Sequence, residues 1–198
     1  MRPRTEDKVN ISMKSQDIVV LLKLASLELT EHERSNEGSS YREYSYSVRG
    51  LEAALGISKT EVNASIKRSI SSGLAIKKPH SERPVPNRRN LYNFIIHGLK
   101  FVYPAKPGAM TRGIPTAFAA SPLKNLLISG GNYIYVWPYA NGKTMGQSVE
   151  PLFKSVPEAV KKDDRLYEYL ALVDAIRLGN QRETGLATER LSERLLKK

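Results

Sequence analysis

The chain has 198 residues, no cysteine, three scattered histidines and a net charge of +11. Disulfide frameworks and thiolate metal sites are thereby excluded, and no apolar run is long enough to span a bilayer. The length suits one or two domains with a real core, and the basic excess favours a polyanionic partner, nucleic acid first.

Residues 1–14 read as a flexible basic arm without the apolar centre of a signal peptide. The next stretch, "SQDIVVLLKLASLEL" (15–29), predicts a helix. Ser15 is its cap, Asp17 suits the positive helix start, and Ile18, Leu21, Leu22, Ala25 and Leu29 share a face. Residues 30–45 are polar and rich in serine, and read as a loop. Ser47 then offers a cap to "VRGLEAAL" (48–55), with Val48, Leu51 and Leu55 inward. Gly56 supplies the positive φ that ends this helix. Ser58 and Glu61 have capping-box spacing: the hydroxyl accepts from a first-turn amide and the carboxylate reaches back to the Ser58 amide. A helix over 58–72 follows, with Val62, Ile66 and Ile70 inward and Gly73 as its stop. "LAIKK" (74–78) predicts a strand, and "PHSERPVPNRR" (79–89) a proline-rich basic tip. Between residues 58 and 90 stand eight lysines and arginines against only Glu61 and Glu82, which is more than half of the net charge.

Helix, helix, helix, strand and basic hairpin is the order of a winged helix. Residues 15–90 resemble the winged helix-turn-helix domain of bacterial transcription regulators, most nearly the MarR-like and related groups. Leu55-Gly56-Ile57-Ser58, with Val62 and Ile66 following, carries the resemblance. The chain departs from the motif at Glu52, where the family has a small residue against the crossing helix; Ala53 and Ala54 stand behind it.

Beyond the tip, "NLYNFIIHGLKFVYP" (90–104) predicts a helix capped by Asn90, with His97 bonded at a packed edge. From 104 to 151 six glycines and six prolines break helices and predict a loop-rich segment with short strands. Within it "FVYPAKPGAMTRG" (101–113) is echoed by "YVWPYANGKTMG" (135–146), a repeat expected to pair with itself; Trp137 is expected in the core. "VPEAVKK" is a turn or short helix, and "DDRLYEYLALVDAIRLG" a strong helix capped by Asp163, ended by Gly179, with Asp174 and Arg177 as an ion pair. A last helix spans 181–196, with Leu186, Leu191, Leu195 and Leu196 inward.

The expected class is α+β, mainly α, in four parts: the arm 1–14, a winged helix-turn-helix domain 15–103, the loop-rich segment 104–151, and a helical region 152–198. The expected function is sequence-specific binding of double-stranded DNA by a cytoplasmic, non-enzymatic transcription regulator needing no cofactor or metal. In a helix-turn-helix the second helix enters the major groove, so Lys59, Thr60, Asn63, Ala64 and Lys67 are the expected base readers. Arg49, Arg68, Lys77, Lys78, Arg83, Arg88 and Arg89 are expected on phosphates or in the minor groove. A homodimer on a two-fold site is expected, with 152–198 as a dimerisation or partner-binding element and no membrane association. Three alternatives stand beside this reading. One is an antitoxin-like autorepressor with a protein partner at the C-terminal half. Another is an enzyme using the 104–151 segment with His97 or Asp174, and the last is nonspecific or RNA binding.

Overall fold

The structure, a computed structural model, describes residues 12–33, 39–77, 83–123, 134–179 and 181–196. These residues are mainly helical with a few short strands, the α+β, mainly α class that the periodicity predicts. Among them no helix is long and apolar enough to cross a membrane.

Helix α1 (Ser15–Glu33) outruns its predicted end at Leu29. It is also more enclosed than a one-sided amphipathic helix: Ile18 through Leu22, Leu24 and Ala25 are all buried, so every side of its first half meets protein. Helix α2 (Ser39–Tyr46) lies where the sequence predicts a loop. Its composition is a poor helix former, and packing offsets that. Tyr46 is buried, donates to Glu31 at 3.2 Å, and carries the Arg83 guanidinium 3.2 Å from its ring centroid.

Helix α3 (Val48–Leu55) begins and ends as predicted, with the Ser47 hydroxyl accepting from the Gly50 amide and Gly56 at φ +64. Its close approach falls two residues before Glu52. A Cβ at Gly50 would drive into the Tyr44 carbonyl oxygen of α2. Helix α4 (Lys59–Ser71) follows after three residues and stops before Gly73 at φ +72. Its inner face is rotated from the predicted one. Val62, Ser65 and Ser69 are buried, while Ile66 and Ile70 pack at the flank. Strands β1 (Ala75–Lys77) and β2 (Pro84–Pro86) form an antiparallel hairpin with Ile76 opposite Val85.

The helix predicted from Asn90 is two pieces, α5 (Arg88–His97) and α6 (Leu99–Val102), parted at Gly98. Its cap is Asn87, whose side chain accepts from the Asn90 amide at 3.2 Å, while the Asn90 side chain donates to the Gly73 carbonyl at 2.9 Å. His97 is exposed, not seated at a packed edge. Strands β3 (Met110–Pro115), β4 (Tyr135–Pro138) and β5 (Thr144–Ser148) each pair with the other two. The sequence echo pairs copy to copy in its second half, where Thr111 faces Gly146 and Gly113 faces Thr144, and Gly113 also faces Pro138. In the first half, 101–102 is helix and 135–138 is strand. Gly113 and Gly142 let two backbones touch: a Cβ at Gly142 would lie 2.5 Å from the Gly113 Cα.

Helix α7 (Val156–Ala159) runs into a 3-10 turn at Val160–Lys162. Helix α8 (Asp164–Leu178) is capped by Asp163, and α9 (Gln181–Leu196) packs against it. Residues Leu166 to Ile176 of α8 are buried without a break. This helix is therefore the axis of the fold, in contact with α1, α5, α6 and α9. One apolar cluster runs from Ile18 to Leu195, so the C-terminal helices share a core with the N-terminal half.

Candidate nucleic-acid interface

The α3–α4 unit is positioned by polar contacts around the start of α4. The Ser58 hydroxyl accepts from the Glu61 amide at 3.4 Å, and Glu52 accepts from the Lys59 amide at 3.0 Å. Glu52, the residue that departs from the family motif, therefore caps the next helix. Only half of the predicted capping box forms. The Glu61 carboxylate turns away from Ser58 and accepts from Lys14, Gln16 and Arg68. Although slight burial works to raise the Glu61 carboxyl, the bond and charge of Lys14, then Arg68 and Gln16, hold it below the ordinary range.

Deeper in, Arg68 donates through Nε and Nη2 to the two oxygens of Asp17, at 2.8 and 2.6 Å. Asp17 is fully buried, and its hydrogen bond raises the Arg68 guanidinium's affinity for its proton. This fork locks α4 to the first turn of α1. Arg68 is thus a structural residue in an ion pair and not part of the exposed face. Arg83 pairs with Glu31 and covers Tyr46, and Arg88 donates to Glu28 at 3.0–3.1 Å and to the Leu195 carbonyl. Arg68, Arg83 and Arg88 are therefore engaged within the fold. Arg49, Lys77 and Arg89 are exposed, and Lys78 lies outside the described residues.

On the opposite side of α4, Lys59, Thr60, Asn63 and Lys67 are exposed and Ala64 is half-buried. Their spacing of about four puts them on one stripe. Two lysines supply charge and donors, Asn63 a paired donor and acceptor, and Thr60 and Ala64 methyl groups. This set can address base edges in a duplex groove.

The C-terminal half meets this unit at the turn. The Ser155 hydroxyl donates to the Leu55 carbonyl, and a Cβ at Gly56 would lie 3.1 Å from that of Ser155. Ser15, the first residue of α1, donates to the Leu152 carbonyl at 2.6 Å. The sequence gives no sign of these contacts, because they join residues 100 and 137 positions apart.

Of the two residues of the enzyme reading, His97 is exposed and Asp174 sits in a buried network. Asp174 is fully buried and accepts from Thr116 at 2.8 Å, Trp137 Nε1 at 2.7 Å and Arg177 at 2.7 Å. Burial pushes its carboxyl above the ordinary carboxylate range, opposed by Arg177, Thr116 and Trp137. It anchors β4 to α8. Among the described residues no group of histidines and carboxylates is arranged to hold a metal. No family model, curated protein or solved structure matches the chain.

Proposed function

We propose that the protein is a sequence-specific DNA-binding transcription regulator. In this reading α1, α3 and α4 with the β1–β2 hairpin are a winged helix-turn-helix, α4 enters the major groove, and the hairpin lies along the backbone or minor groove. The observation that carries it is the polarity of α4. Lys59, Thr60, Asn63 and Lys67 face solvent on one stripe, while Glu52, Glu61 and the Arg68–Asp17 fork fix the helix from behind. A surface that is both rigid and unpaired by carboxylates is what base readout requires. Arg49 and Arg89 are the backbone contacts of this reading, joined by Lys77. One such module covers few base pairs, so the active form is a homodimer on a two-fold site.

Fluorescence anisotropy tests this directly. Duplexes enriched by the protein from a random pool are titrated beside scrambled ones at two salt concentrations. Asn63→Ala is expected to cost about 1–3 kcal/mol on the enriched site and little on scrambled DNA. Arg89→Ala should weaken both alike and flatten the salt dependence. Equal binding of the wild-type chain to every duplex would refute sequence readout.

A further inference from the structure

We infer that the duplex-binding surface continues past the turn of the α3–α4 unit onto the C-terminal half, where Lys154 and Lys162, followed by Lys143 and Arg112, hold the backbone flanking the site read by α4. The inference rests on the DNA-binding reading above and extends it to a second element. Continuity is its first ground. Ser155 is bonded to Leu55 and packed on Gly56, four and three residues before Lys59, so its chain neighbour Lys154 stands beside the turn that leads into the reading helix. Helix α7 packs on α3, and the 3-10 turn that follows ends at Lys162. The Tyr139 hydroxyl joins this turn to the sheet, accepting from Lys161 at 2.8 Å and bonding to Glu158. The Tyr139 amide in turn donates to the Arg112 carbonyl at 3.1 Å. A continuous path of protein therefore leads from Lys59 to Arg112.

Charge is the second ground. Glu158 is bound to Lys161 at 2.7 Å, so that acid and base neutralise each other. Lys154, Lys162, Lys143 and Arg112 are exposed and make no salt bridge among the described residues. By contrast Arg68, Arg83, Arg88 and Arg177 are held in ion pairs within the fold. Exposed cations on a rigid segment beside a groove-reading helix fit phosphates, which fix register and affinity without reading sequence.

Phosphate contacts release counterions, so each makes the logarithm of affinity fall with the logarithm of salt by about 0.9 more. The test is a Lys154→Ala/Lys162→Ala variant on the site enriched by the wild-type chain, with a hydroxyl-radical footprint. The expected result is a salt slope shallower by about 2, protection lost on the flank, and an unchanged ratio of enriched to scrambled affinity. Lys154→Arg/Lys162→Arg should restore both slope and footprint. The inference is overturned if slope and footprint match the wild type while Asn63→Ala still loses discrimination. A wild-type chain that binds no duplex overturns this inference and the DNA-binding reading together.

Discussion

Arg68 grips Asp17 with two parallel hydrogen bonds across 51 residues of chain, and the carboxylate it grips has no contact with solvent. The pair sets where α4 sits on α1. Removing one partner leaves the other charge buried and unpaired. Asp17→Asn and Arg68→Ala are each expected to destabilise the fold by about 3–5 kcal/mol, read as a lower urea midpoint with an unchanged m-value. A loss under about 1 kcal/mol in both would place the pair in the class of exposed bridges and remove it as the anchor of α4.

Two serines on the inner face of α4 should behave in the opposite way. The Ser65 and Ser69 hydroxyl oxygens are buried and lack a partner among the described residues, each a desolvated group without compensation. Alanine removes that cost and has the higher helix propensity, so Ser65→Ala and Ser69→Ala should each stabilise by about 0.5–1 kcal/mol. Thermal melting measures it, and a lower melting temperature in both would mean that these hydroxyls are bonded.

Asp163 predicts the acid limb of stability. Burial works to raise its carboxyl, but Lys23 at 2.7 Å, the Leu166 amide and the Ser26 hydroxyl outweigh that and hold it below the ordinary range. A carboxyl depressed in the folded state stabilises above its unfolded pKa of ~3.9, and the contribution is lost as pH falls through the lower folded value. Asp163→Asn keeps the helix cap and abolishes the titration. Unfolding free energies at pH 7 and pH 3 should therefore fall less steeply for the variant than for the wild type. Parallel pH profiles would show that the Lys23 contact contributes nothing.

The elements legible in the sequence are those set by neighbours along the chain. Ser47, Gly56, Gly73 and Asp163 each act within a turn of their own position, and each marks a helix end as their chemistry requires. The 3.6-residue period likewise found the helices over 15–29 and 164–178. Helix α2 escaped because its support, Tyr46 against Arg83 and Glu31, comes from far along the chain. The same limit applies to the candidate site. The exposed stripe from Lys59 to Lys67 follows from helical spacing alone. The fates of Arg68, Arg83 and Arg88 do not, since their partners on α1 lie 51, 52 and 60 residues away. Charge density in sequence counts cations; only folding divides them between ion pairs and open surface.

Helix α8 is enclosed from Leu166 to Ile176, and its wrapping includes α1, the helix against which α4 is clamped. During synthesis α4 therefore emerges more than ninety residues before the helix that covers the far side of α1. Until the ribosome has released α8, the side of α1 that packs on it has no cover, and a nascent chain halted at residue 151 is expected to be a substrate for chaperones and proteases. A fragment ending before α8 would thus carry the whole exposed stripe of α4 without the complete packing beneath it, and the finished fold arrives only once translation has passed the far half of the molecule.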